Sequence, residues 1–169
     1  MEQITITRKP FIIGIMGSHA DEGPFLGDAY RLGKEAAVRG YVILTGGGPG
    51  IMKAASEGAR HGGGLVIALL PSERQRPLPG YPNEYVDIPL YTGMGDARNV
   101  INAKTPHVVV ALNGGPGTVS EMALALKSGV PVISLNAPRL ELPGIISVSS
   151  VNEAMVKIEE LLTPPEQHP

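Results

Sequence analysis

Short runs that are apolar throughout recur along the chain, separated by segments with helical spacing. Phe11–Met16, Tyr41–Leu44, Leu65–Leu70, His107–Leu112 and Val130–Leu135 read as strands, with shorter ones at Glu84–Ile88 and Gly144–Val148. Pro24–Arg39 places Leu26, Ala29, Tyr30, Leu32 and Ala36 on related faces of a helix, and Gly40 fits its C-terminal stop. Ile51–Arg60, Met94–Lys104, Met122–Lys127 and Val151–Leu162 read as further helices. Strands that are apolar throughout, rather than alternating, suit a sheet covered on both faces. Their alternation with helices predicts an α/β fold: a Rossmann-like, doubly wound, mainly parallel sheet with helices on both faces. Pro71–Asn83, with Pro71, Pro77, Pro79, Gly80 and Pro82, breaks the rhythm as a surface loop or flap.

Three of the expected strands end in glycine turns: Gly17-Ser18, Gly46–Gly50 and Gly114–Gly117. In a parallel sheet all three lie on one edge, at the carboxyl ends where such folds bind ligands. The most informative is Asn113–Glu121, reading Asn-Gly-Gly-Pro-Gly-Thr-Val-Ser-Glu, which runs from a buried strand into a helix. Glycine lets the backbone approach a ligand, and the first turn of the helix offers unpaired N–H groups at the positive end of its dipole. A phosphate is therefore expected near Gly114, Gly115, Gly117 and Thr118. Gly17, Ser18, Gly46, Gly47, Gly48 and Gly50 are candidate contacts from the other two turns. Each also has a plainer role, as a tight turn or as a close helix–strand approach. Gly46–Gly50 lacks the spaced dinucleotide fingerprint and no acidic ribose partner follows the next strand, which disfavours a dinucleotide dehydrogenase. Thr118-Val119-Ser120-Glu121 has the spacing of a capping box, so Glu121 is either a helix cap or a carboxylate facing the ligand. Arg98 is either a solvated helix residue or a guanidinium fork for phosphate.

Composition narrows the classes. The chain of 169 residues is 43% hydrophobic, enough for a substantial aliphatic core in one domain. A net charge of −2 argues against a general nucleic-acid or anionic-membrane partner. With no cysteine, disulfides and thiolate sites are absent and a cytoplasmic setting is compatible. No apolar run reaches the length of a membrane span, and the start lacks a signal-peptide pattern. His19, His61, His107 and His168 show no metal-ligand spacing, so neither a metal nor another cofactor is expected; His19 alone is near enough to the site to approach it. The nearly all-apolar Met122–Leu126 segment predicts a helix buried all round, which favours a homodimer packing helix on helix.

With these turns laid out, the chain resembles the LONELY GUY family, also labelled "possible lysine decarboxylase". Its Pro-Gly-Gly-x-Gly-Thr-x-x-Glu motif stands here as Gly114-Gly115-Pro116-Gly117-Thr118-Val119-Ser120-Glu121, and its upstream arginine matches Arg98. The match extends to Gly46–Met52 and covers most of residues 11–135. Asn113 replaces the motif's proline and Asn99 the lysine of its Arg-Lys pair. The stretch Tyr91–Asn99 is similar to the short branch that includes molybdenum cofactor carrier proteins, and there Met94 and Asn99 join the candidate ligand contacts. The chain itself reads as one domain over residues 1–169, with 1–10 a leader or edge segment and 163–169 a frayed tail, and the resemblance implies that this domain is Rossmann-like and nucleotide-binding. It also implies a dimer that binds a small phosphorylated ligand. In the hydrolase branch it implies cleavage of the N-glycosidic bond of a nucleoside 5′-monophosphate to free base and ribose 5-phosphate. Arg98 and Glu121 would then be catalytic. The alternative is a non-catalytic carrier or sensor of a phosphorylated ligand such as molybdenum cofactor. Decarboxylation finds no support, because no lysine sits in a recognisable pyridoxal-phosphate motif.

Overall fold

Ile12–Gly17 (β1), Val42–Thr45 (β2), Val66–Leu70 (β3), Ile88–Tyr91 (β4), Val108–Leu112 (β5), Val132–Leu135 (β6) and Ile145–Val148 (β7) form one sheet in a computed structural model that describes residues 9–138 and 141–163. The strand order is β4-β3-β2-β1-β5-β6-β7 and every pairing is parallel. The Rossmann-like expectation therefore holds, and the sheet is parallel throughout. Most of the expected leader and tail lies outside the described residues.

Among the described residues five helices cover the sheet: Leu26–Val38 (α1), Ile51–His61 (α2), Asn99–Lys104 (α3), Pro116–Lys127 (α4) and Val151–Leu162 (α5). On one face Ile13, Ile15, Ile43 and Val110 pack under Leu32 of α1, Ile51 and Ala55 of α2, and Met155 and Ile158 of α5. On the other, Met16, Leu44, Val109, Ala111 and Val132 pack under Ala103 of α3 and Met122 and Ala125 of α4. Each fully buried Ile, Leu or Met side chain contributes about 1.5–3 kcal/mol. The division follows from right-handed crossovers. The chain first winds one way through β1, β2, β3 and β4, then crosses to β5 on the far side of β1. The winding reverses between β1 and β5, so their carboxyl ends, paired at Gly17 and Leu112, form the switch point.

Several boundaries differ from the sequence reading. The strand expected at Glu84–Ile88 lies instead at Ile88–Tyr91, and Pro89 is tolerated because β4 is the edge of the sheet. The single helix expected over Met94–Lys104 is a 3₁₀ turn, Gly95–Arg98, followed by α3; Gly95 at φ +56° marks its start. Helix α4 begins at Pro116, earlier than Met122, because proline at the first helical position has its φ preset and gives up only an N–H with no partner. Nor is α4 buried all round: Met122 and Ala125 are buried, whereas Leu124 and Leu126 are only partly covered. No helix among the described residues is long and apolar enough to cross a membrane.

Candidate functional site

A cavity of about 460 Å³ opens at the switch point. Of the residues singled out in the sequence, Gly17, Ser18, Arg98, Asn99, Gly114, Gly115, Gly117, Thr118 and Glu121 line it together. His19, Met52, Tyr81, Asp96 and Pro116 complete the lining.

The three glycine turns meet here but do different work. In the third, Gly114 has φ +140° and an added Cβ would lie 2.2 Å from Thr118 Oγ1, so the turn itself requires glycine. Asn113, at φ +40°, donates its N–H to the Asn136 carbonyl at 3.2 Å. Proline could do neither, which is the physical meaning of its replacement at this position. Gly115 and Gly117 are different: an added Cβ at either meets nothing within 4 Å. They face open cavity at the start of α4, where the backbone N–H groups of Gly117 and Thr118 precede the first carbonyl a helix can offer them.

The first turn caps another helix. The Ser18 carbonyl accepts from the Ile51 N–H at 2.9 Å, and Asp21 Oδ1 accepts from the Gly50 N–H at 3.1 Å. These bonds take up the Gly50 and Ile51 N–H groups, so neither is free for the ligand contact expected at Gly46–Gly50. Gly46, Gly47, Gly48 and Gly50 lie in the wall behind the cavity and do not line it. An added Cβ on Gly46 would sit 2.6 Å from Arg98 Nη1, and one on Gly47 2.4 Å from Leu70 Cδ2. Met94 is exposed and also stands outside the lining.

The floor holds a buried polar cluster. Arg98 closes the 3₁₀ turn and is 8% exposed; Glu121, in the second turn of α4, is 6% exposed. Arg98 Nη1 stands 3.6 Å from Glu121 Oε1, and Asn102 Nδ2 donates to the same oxygen at 2.7 Å. Burial pushes the Glu121 carboxyl above its ordinary range, more strongly than Asn102 and Arg98 pull it down. Arg98 Nε and Asn102 Oδ1 are buried without a hydrogen-bond partner among the described residues. The capping-box reading of Thr118 and Glu121 is corrected here. Gly115 is the N-cap residue, Thr118 sits within the first turn, and no side chain caps the helix. Asn99 lines the cavity from the first residue of α3, with Nδ2 only 3.5 Å from Ser120 Oγ.

Asn102 and Tyr81 were not singled out in the sequence. Asn102 follows Arg98 by four residues, the spacing that places two helical side chains together. Tyr81 lies within the proline-rich segment expected as a flap. Among the described residues, no group of His, Asp and Glu side chains could hold a metal ion.

Comparison with known proteins agrees with this architecture. The model of the SLOG cluster4 family matches residues 10–163. A molybdenum cofactor binding protein from Rippkaea orientalis superposes with a TM-score of 0.84 at 40% identity, over 94% of this chain and all of that one. The molybdenum cofactor carrier protein of Chlamydomonas reinhardtii gives 0.79 at 36% identity, over 91% and 99% of the two chains. An uncharacterized protein of Archaeoglobus fulgidus is 40% identical over 126 residues, 75% of this chain and 80% of that one.

Proposed function

The chain belongs to the SLOG cluster4 family, and from that premise we propose that it binds and carries a phosphorylated, pterin-type ligand such as molybdenum cofactor. The observation that carries this reading is the pair Gly115 and Gly117. Gly115 is the N-cap and Gly117 lies in the first turn, where glycine costs stability, and no neighbouring protein atom requires glycine at either position. A ligand that must approach the backbone does require it. The phosphate sits against the N–H groups of Gly117 and Thr118, at the positive end of α4.

Arg98 supplies the buried positive charge, and its unpartnered Nε is a donor left for a ligand oxygen. Glu121 stands beside Arg98 and is itself held by Asn102, which fixes the floor of the site. Burial raises the Glu121 carboxyl above its ordinary range, so it gives up its proton less readily than an exposed glutamate. Asn99 adds no second charge. The rival reading, hydrolysis of a nucleoside 5′-monophosphate, draws on the same pocket and the same two residues.

One experiment separates them. Pure protein is incubated with a panel of nucleoside 5′-monophosphates and with molybdenum cofactor released from a molybdoenzyme. Saturable binding of the cofactor without release of free base from any nucleotide supports the carrier. Catalytic release of base refutes it in favour of the hydrolase.

A further inference from the structure

The second glycine turn lies outside the cavity lining, yet its shape is tightly specified. An added Cβ on Gly48 would lie 2.3 Å from Cζ and 2.4 Å from Oη of Tyr81. Glycine at this position therefore makes room for a phenol ring arriving from the proline-rich loop. Asn83 fastens that loop to the same turn: its N–H donates to the Gly47 carbonyl at 2.8 Å and its Nδ2 to the Gly48 carbonyl at 2.9 Å. Asn83 is buried, so these bonds are shielded from water. The turn is a seat, and what it seats is Tyr81 in the cavity wall.

The ring has the properties of a recognition surface. It is half-buried and borders the same cavity as Gly115 and Gly117. Its hydroxyl lies within the electrostatic reach of Arg98, Glu121 and Asp96 and makes no hydrogen bond among the described residues. Burial raises the phenol above its ordinary range, so it stays a neutral O–H at physiological pH. A rigid aromatic face with an unused donor suits a flat, polar-edged ring.

We propose that Tyr81 is the specificity-determining wall of this cavity, abutting the fused bicyclic heterocycle, purine or pterin, of a ligand whose phosphate is held by α4. The proposal rests on the phosphate reading above. Stacking on an aromatic side chain raises affinity for a base by about 5- to 150-fold.

The test compares two probes that share a phosphate, guanosine 5′-monophosphate with the heterocycle and ribose 5-phosphate without it. Calorimetry is run on the wild type, Tyr81→Leu and Tyr81→Phe. Tyr81→Leu is expected to lose about tenfold or more in affinity for the nucleotide and less than about twofold for the sugar phosphate. The chain has five tyrosines and no tryptophan, so tyrosine emission provides a second readout. Nucleotide binding quenches it in the wild type. In Tyr81→Phe, which keeps the ring on Gly48, affinity stays within about threefold and the quench is lost. Equal losses for both probes in Tyr81→Leu, or a quench that survives in Tyr81→Phe, overturns the proposal while leaving the phosphate site standing. A wild type that binds neither probe refutes the phosphate reading, and the role of Tyr81 falls with it.

Discussion

Replacing Glu121 by glutamine tests whether the buried pair on the cavity floor stabilises the fold. The amide keeps the side-chain shape, and its oxygen can still accept from Asn102 Nδ2, now at 2.7 Å. What is lost is the attraction between opposite charges 3.6 Å apart, about 4–5 kcal/mol at an effective dielectric constant of about 20. Against this stands the cost of holding a carboxylate away from water, several kcal/mol in a protein interior. The upward displacement of the Glu121 carboxyl, with burial its largest cause, shows that the second effect exceeds what Arg98 and Asn102 return.

Glu121→Gln should therefore be no less stable than the wild type at pH 7, within about 1 kcal/mol, or about 2–4 °C in Tm for a chain of this size. The pH dependence has a definite sign. A carboxyl whose folded pKa is raised binds its proton more readily in the native state, so its contribution is favourable in acid. That contribution is lost as pH rises from the ordinary glutamate range through the raised folded value. Subtracting the variant's stability curve from the wild type's isolates this slope from the other acids. Circular dichroism melts and urea titrations from pH 4 to 8 measure it. A loss of about 3 kcal/mol or more in the variant at pH 7, or a difference curve that rises with pH, would refute the reasoning and make the ion pair a net stabilising contact.

Inorganic phosphate should raise the Tm of the wild type by binding the folded state. Gly115→Val should fold, because its Cβ meets nothing, yet fill the cavity and abolish the shift; an undiminished shift in the thermal melt places the anion elsewhere. Gly58→Ala would drive a Cβ to 1.9 Å from the Tyr30 carbonyl, where α1 and α2 pass closest. Although alanine gains about 1 kcal/mol in helix propensity, overpacking against backbone should give a net loss of about 2 kcal/mol or more in urea denaturation. We also expect a homodimer built on the α3–α4 face, where Val100 and Ile101 are exposed beside partly covered Leu124 and Leu126. Light scattering should report a dimer for the wild type and a monomer or aggregate for Leu126→Glu.

The fold class was legible in the sequence because it depends on local pattern. Apolar runs such as Val108–Leu112 have no polar face to turn to water, so they must be central, parallel and covered by helices on both sides. The same holds for the third glycine turn. A strand, a glycine run and a helix in succession specify an N-terminal anion site by chain geometry alone, and Gly114 to Thr118 line the cavity. Helix α5 was also legible to the residue, with Ser150 accepting from the Glu153 N–H at its start.

The tertiary structure decided the rest. The spacing of Thr118 and Glu121 looked like a cap, but Pro116 started the helix earlier and turned Glu121 inward to Arg98 and Asn102. Gly46–Gly50 stood as candidate ligand contacts or a tight turn until the fold brought Ser18 and Asp21 across to take the Ile51 and Gly50 N–H groups. Tyr81 and Asn83 stand more than thirty residues from the turn they pack on, and no local pattern couples them. Periodicity records what one segment buries. Which donor remains free for a ligand depends on every other segment that arrives at the same place, and that is settled only when the chain has folded.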